Sequence, residues 1–152
     1  MRKTHFSVKH PKSASRFMVF TGLVILIIPG IFTLFQGKLP TAAYCIFFLL
    51  SLPFLIAALW MGIFRIDVQE DYLSVRRGIG VRYGFHAAEI RRVVYKITLT
   101  GVGKSQAIQI FVNQHRIAVG NMMDGAKELD EFIRRTISAD KIEVKERGLN
   151  NG

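Results

Sequence analysis

The chain has 152 residues, half of them hydrophobic, and a formal net charge of +10 at neutral pH. Its single cysteine excludes an intramolecular disulfide. The charge divides into +5 on residues 1–16, +1 at Lys38 and +4 from Arg65 onward, where 15 basic residues meet 11 acidic ones. So small an excess on the last segment, without a recognisable reading helix, disfavours binding to duplex nucleic acid.

Two long apolar segments follow the basic start. Residues 17–36 and 41–64 contain no charged side chain, and Lys38 lies between them. At about 1.5 Å per residue, each segment as a helix would cross a hydrocarbon core of roughly 30 Å. A signal peptide has an apolar core of only about 7 to 15 residues, and a soluble core would hide one such helix more easily than two. We therefore predict a transmembrane hairpin over residues 17–64.

The basic residues also predict the orientation of this hairpin. Residues 1–16 carry five basic side chains and no acid, whereas the link between the helices offers only Lys38. Because positive segments stay in the cytoplasm, we expect a multi-pass protein of the cell inner membrane with both termini cytoplasmic. Pro29 and Pro53 should bend the two helices at similar depth. They either let the hairpin flex or oligomerise, or are simply tolerated in membrane helices.

A separate domain is predicted over residues 65–139, because short segments there alternate apolar and polar residues with a period of two. Six strands in an antiparallel meander are expected, with turns at residues 69–71, 78–80, 101–105 and 113–114. The apolar positions of the strands are Ile66 and Val68; Leu73 and Val75; Val81, Tyr83 and Phe85; Val93, Tyr95, Ile97 and Leu99; Ile108, Ile110 and Val112; and Ile117 and Val119.

A helical period follows the last strand. Asp124 can cap this helix, which is expected to end near Ala139. Its apolar face is formed by Ala126, Leu129, Phe132, Ile133 and Ile137. A lone amphipathic helix must bury that face, so we expect it to cover one end or face of the sheet. Residues 1–16 are then a basic cytoplasmic arm, and residues 140–152 a charged flexible tail.

A membrane hairpin, a strand meander and a final helix in this order resemble the membrane-anchored bacterial pleckstrin-homology-like (PH-like) domain proteins. The segments that carry the resemblance are residues 64–68, 72–77, 85–90, 108–112 and 124–137. The resemblance implies a small α+β domain, mainly antiparallel β, whose curled sheet is capped by one C-terminal helix and presents a surface for lipid or protein ligands. Residues 69–71 are Gln-Glu-Asp where phosphoinositide-binding members have basic residues, which argues against inositol phosphate as the ligand.

The motifs of catalytic and metal sites are not matched. Residues 103–105 are Gly-Lys-Ser, as at the end of a phosphate-binding P-loop, but Thr98 stands where the first glycine is required and a strand follows. A hairpin turn explains the same letters. The four histidines have no ligand-like spacing and no paired cysteines. We therefore predict that the protein is not an enzyme and has no catalytic residue, cofactor or metal.

The remaining functional signal is a set of basic residues on the predicted strands. They are Arg76, Arg77, Arg82, Arg91, Arg92 and Lys96. Arg76, Arg82, Arg92 and Lys96 fall on the polar phase of their strands and are the candidate anion-binding residues. Their convergence on one face requires that neighbouring strands pair as in a meander. The alternative is a solvated outer face.

Two functional hypotheses follow. In the first, a non-enzymatic membrane-anchored module presents its PH-like domain to an anionic lipid, a small anionic ligand or a protein partner. In the second, the domain senses an anionic nucleotide, such as a cyclic one, and oligomerised hairpins then perturb the membrane. The expected partners are therefore the bilayer, one of these ligands and, in the second hypothesis, further copies of the chain.

Overall fold

The computed structural model describes residues 5–100 and 103–147. They divide into two compact units: residues 10–64, here called the helical hairpin, and residues 5–9 with 65–147, here called the sheet domain. Each is described by itself. Gly101 and Val102, which fall in an expected turn, lie outside the described residues, as do the first four residues of the predicted arm and the last five of the predicted tail.

The helical hairpin consists of α1 (Lys12–Gln36) and α2 (Thr41–Ile63). Near one end the Ser15 hydroxyl donates to the Ala58 carbonyl at 3.2 Å, so the two helices lie against each other. In the most apolar stretch of each helix, only 11% of residues are buried. Both helices are long and apolar enough to cross a membrane, and the two predicted apolar helices are confirmed. The first begins at Lys12, earlier than predicted, because a helix does not need apolar residues in its first turn.

The first sheet of the sheet domain, sheet A, has four antiparallel strands in chain order. They are β1 (His5–Lys9), β2 (Arg65–Gln69), β3 (Tyr72–Arg76) and β4 (Arg82–His86). Its apolar residues form one buried face: Val8, Ile66, Val68, Leu73, Val75 and Phe85. The residues predicted as an arm therefore include an edge strand, in which Phe6 and Val8 alternate with Ser7 and Lys9. That alternation is too short to stand out among basic residues.

The second sheet, sheet B, contains β5 (Ile90–Thr100), β6 (Gly103–Val112), β7 (His115–Gly120) and β8 (Ile142–Arg147). Their order is β7-β6-β5-β8, and β8 runs parallel to β5. The six predicted strands are all present, but the predicted single meander is wrong. A one-turn helix, Ala87–Glu89, separates β4 from β5, so β5 begins a new sheet. Part of the expected flexible tail is also a strand, β8, because Ile142 and Val144 alternate with charged residues.

The predicted C-terminal helix is α3 (Ala126–Thr136). It buries Leu129, Phe132 and Ile133, and the Phe132 ring meets the Phe6 ring of β1 edge-on at 6.2 Å. The predicted cap at Asp124 is wrong. The residue at the cap position is Gly125, and the Asp124 backbone instead exchanges two hydrogen bonds, of 3.0 and 3.1 Å, with Lys9.

Gly125 explains why the chain enters α3 without a side-chain cap. Its φ of 82° is a left-handed conformation that favours glycine. A Cβ atom at this position would lie 2.4 Å from the Ser7 carbonyl oxygen. The close approach of this turn to β1 therefore requires glycine. In the described residues the sheet domain is thus an α+β unit of two mainly antiparallel sheets. Helix α3 packs against β1, the strand that precedes the helical hairpin in the chain.

Candidate functional site

The four predicted anion-binding residues are divided between the two sheets. Arg76 and Arg82 lie directly opposite each other in the β3–β4 ladder. Arg92 and Lys96 lie on β5 in sheet B. The expected convergence of all four on one face is therefore not found, because β4 and β5 do not pair. The structure brings together only the first two.

Arg92 and Lys96 have surroundings of mixed charge. The Arg92 guanidinium lies 3.5 Å from a Glu143 carboxylate oxygen and 4.7 Å from the centre of the Phe111 ring. Lys96 lies opposite Lys145 of β8, whose amine is 3.8 Å from the same carboxylate. The Glu143 carboxylate thus lies close to a positive charge on β5 and to another on β8. Such an exposed, partly compensated arrangement is typical of a solvated face.

Arg76 and Arg82 belong to a longer line of cations that crosses all of sheet A. The register places Lys9 opposite Arg65, Arg65 opposite Arg76, and Arg76 opposite Arg82. Residues directly opposite each other in a ladder point to the same face. With neighbouring strands about 4.8 Å apart, the line is about 14 Å long. We call Lys9, Arg65, Arg76 and Arg82 the cationic row.

The cationic row lies on the outer face of sheet A. Its three arginines are exposed and Lys9 is half-buried, whereas the adjacent Val8, Ile66 and Val75 are buried. The period of two explains this placement, since one side of each strand is committed to the core. The arrangement presents four long donor side chains to one side.

Two acidic residues lie beside the row. Arg65 Nε donates to Asp67 Oδ1 at 2.7 Å, and Asp124 lies opposite Lys9 in an isolated antiparallel bridge, so Arg76 and Arg82 are the two cations of the row without an acidic residue placed beside them among the described residues. Like charges directly opposite each other in a sheet destabilise it by roughly 0.2–1 kcal/mol per pair. Guanidinium groups bind oxyanions with two parallel hydrogen bonds, which would relieve that repulsion. The row is thus suited chemically to an extended or repeated anion.

The loop that joins β3 to β4 continues the row at its end. It runs from Arg77 to Val81 and is closed by a hydrogen bond from Arg77 N to the Val81 carbonyl oxygen at 3.2 Å. Gly80 has a φ of 77°, which permits the tight turn. Ile79 is 80% exposed and Val81 53% exposed. Val81, predicted as part of a strand, lies in this loop because its side chain has no core to enter.

Sequence reasoning missed Lys9 and Arg65 as members of the site. The sequence alone predicts Lys9 to lie in a basic arm and Arg65 to begin the domain. The Phe6 and Val8 alternation was the available signal for β1. Pairing between β1 and β2, however, joins segments on either side of the helical hairpin. Register over such a separation is not encoded locally, so the full row could not be predicted.

A cleft lies between β4 and the β6–β7 turn, with a volume of about 470 Å³. The Tyr83 and His115 rings stack there with centres 4.3 Å apart. The Tyr83 hydroxyl is buried and has no hydrogen-bond partner among the described residues. Burial raises the pKa of Tyr83, against the opposing effect of the Arg77 charge. Glu89 and Arg91 in its lining have opposite charges, so the cleft offers no net attraction to an anion.

Within residues 5–100 and 103–147, no group of three His, Cys, Asp or Glu side chains is placed to hold a metal ion. Comparisons with protein-family models, curated proteins and solved structures find no match to the chain. Function is therefore inferred from the geometry of the chain itself.

Proposed function

We propose that the chain is a non-enzymatic membrane-anchored binding protein whose sheet domain binds an anionic ligand through the cationic row. The observation that carries this proposal is the register Lys9–Arg65–Arg76–Arg82 across four strands. Four like charges in one line repel one another, and Asp67 beside Arg65 and Asp124 opposite Lys9 offset only part of that repulsion. A local arrangement that lowers stability without an evident structural gain is characteristic of functional sites.

The pairing of β1 with β2 supports the membrane part of the proposal. β1 immediately precedes α1 and β2 immediately follows α2, yet the two strands are hydrogen-bonded neighbours. If α1 and α2 cross a bilayer, their flanking strands are on the same side of it. The five basic residues before residue 17 favour the cytoplasmic side of the inner membrane. Two mainly antiparallel sheets with a packed helix are compatible with the PH-like resemblance, which we retain as part of the proposal.

Mass spectrometry of the full chain purified in mild detergent tests the proposal. We expect the wild type to retain an anionic lipid or another anionic molecule, and a double variant, Arg76→Gln with Arg82→Gln, to lose it. The matched control is Arg92→Gln with Lys96→Gln, which removes the same number of charges from sheet B. Retention of the same species by all three proteins would overturn the proposed site. Loss from the control alone would move the site to sheet B.

A further inference from the structure

We infer that the β3–β4 loop inserts Ile79 and Val81 into the leaflet from which the helical hairpin emerges, while the cationic row contacts the anionic headgroups of that leaflet. This inference rests on the proposed function and specifies its ligand. It gives the sheet domain a second attachment to the bilayer, separate from α1 and α2. The site is the loop Arg77–Val81 together with the row.

The composition of the loop is the first argument. Turns are usually built from polar residues and glycine, but in this one Ile79 lies between Gly78 and Gly80, and Val81 follows them. Ile79 and Val81 are both exposed, at 80% and 53%, so the sheet domain does not bury them. Exposed apolar residues flanked by basic ones are the combination that binds at a membrane interface. Arg76, Arg77 and Arg82 supply the basic flank.

Chain connectivity is the second argument. Arg65 is two positions after Ile63, the last residue of α2, and a chain spans at most about 3.6 Å per residue. Arg65 therefore lies within about 7 Å of the end of that helix. Arg82 is two strands further along sheet A, which adds about 10 Å. The chain thus passes directly from α2 into the strand that carries Arg65 of the cationic row.

The charge distribution along the strands of sheet A is the third argument. The row and the loop form one end of these strands, and the β2–β3 turn at the other end contains Glu70 and Asp71. An anionic leaflet attracts each nearby basic residue and repels the acidic turn. Both effects favour an orientation in which the loop approaches the bilayer. An acidic protein partner would use the same charges but would not need Ile79 and Val81 to enter hydrocarbon.

Depth-dependent quenching in reconstituted bilayers tests the inference on the full chain. Cys45 is exposed on α2, so Cys45→Ala removes little packing and provides a cysteine-free background. Gly78→Cys places a fluorescent label in the loop while leaving both apolar residues in place, and a Cβ at Gly78 meets no atom within 4 Å. Gln69→Cys labels the same outer face at the opposite end of β2. The bilayers contain phosphatidylcholine with or without phosphatidylglycerol, and lipids with a quencher just below the headgroups.

We expect a loss of emission for the label at position 78 in the phosphatidylglycerol bilayers, and none for the label at position 69. Adding Ile79→Ser and Val81→Ser should abolish the loss of emission at position 78. Raising the salt beyond about 0.15 M, where the Debye length is about 8 Å, should reduce the loss.

Three results would overturn the inference. One is an unquenched label at position 78, and another is equal quenching at positions 69 and 78. The third is quenching that survives both serine substitutions, which would mean proximity without insertion. If the loop does not insert but the row variants still lose a bound anion, the proposed function stands and only this inference fails. If the row variants still retain the anion, both the proposed function and this inference fail.

Discussion

Lys9 lies directly opposite Arg65 in the β1–β2 ladder, although the helical hairpin of residues 10–64 separates them in the chain. Lys9 is three positions before α1 and Arg65 is two positions after α2. The ladder therefore pairs the strand before the start of α1 with the strand after the end of α2. It also sets two positive charges side by side at that point.

This relationship predicts the topology. Cysteines introduced at His5 and Gln69 should both react with a membrane-impermeant reagent only after the membrane is permeabilised and the reagent reaches the cytoplasm. The reason is that two paired strands must lie on the same side of the membrane. A cysteine at Lys38 should react from the outside. Cys45→Ala provides the background for all three. Labelling of positions 5 and 69 from opposite sides would contradict the pairing of β1 with β2, and labelling of both from the outside would reverse the proposed orientation.

Removal of one charge from the cationic row should stabilise the sheet domain. Arg76 lies between two like charges, so Arg76→Gln should raise the free energy of unfolding by about 0.2–1 kcal/mol at low salt. The gain should shrink as salt rises, since exposed charges are screened. Chemical denaturation of the full chain in detergent, followed by a probe in the sheet domain, measures it.

The control for this substitution is Arg92→Gln. Arg92 has an acidic partner, Glu143, so its loss should leave stability unchanged or slightly lower. In anion retention, Arg76→Gln should lower the amount of anion that the chain retains, whereas Arg92→Gln should leave it unchanged. A destabilised Arg76→Gln protein would mean that the guanidinium supports the fold through contacts of its own, and the case for the row as a binding site would weaken.

The contact between α3 and β1 should contribute much of the stability of the sheet domain. Phe132 is 4% exposed, so Phe132→Ala should lower the free energy of unfolding by about 3–5 kcal/mol. Glu131→Ala, on the exposed side of the same helix, is the control and should change stability by no more than about 0.5 kcal/mol.

A double-mutant cycle with Phe6→Ala isolates the ring contact, which should be worth about 0.5–1.5 kcal/mol beyond area burial. Additive effects of the two substitutions would show that α3 does not rest on β1. The same geometry implies that a fragment starting at Arg65 lacks part of its core, because Val8 is fully buried. Stability measurements therefore require the full chain.

Stability should fall in alkali because of Tyr95. Burial, and then the hydrogen bond of 2.6 Å that its hydroxyl donates to Asp130, raise the pKa of Tyr95. The unfolded chain loses this proton near pH 10, its usual value, while the folded chain keeps it to higher pH. The contribution of the neutral hydroxyl is thus complete below about pH 10 and is lost as pH rises toward the pKa of the folded state.

Tyr95→Phe should flatten the decline in unfolding free energy between about pH 9 and 11.5, compared with the wild type. Tyr72→Phe, which makes the same substitution at an exposed tyrosine, is the matched control. Equal slopes for the wild type and Tyr95→Phe would mean that another group titrates in this range. Comparison of variants is needed since lysines also lose charge near pH 10.4.

Local patterns predicted the elements of this chain better than their pairing. The apolar helices, the six central strands and α3 have periods that can be found in short windows. β1 and β8 were missed because each offers two apolar residues among charged ones, and Val144 of β8 is 62% exposed even in the fold. Of the four candidate anion-binding residues, only Arg76 and Arg82 lie opposite each other in one ladder. Lys9 and Arg65 lie in line with these two arginines only because β1 pairs with β2 across a long separation in the sequence. Arg92 and Lys96 lie in a different sheet, because sheet A ends at β4.

The closure of sheet A across the helical hairpin has a consequence for biosynthesis. β1 leaves the ribosome before α1 and α2, and its partner β2 is made only after the intervening 55 residues. Closing a loop of that length in a flexible chain costs roughly 3.5 kcal/mol from the length term alone. Insertion of the two helices as an antiparallel pair would bring the ends together beforehand and remove most of that cost. If α1 and α2 are inserted into a membrane, maturation of the sheet domain should wait for that insertion, and a chain that fails to insert should expose an unpaired β2 edge to proteases and chaperones.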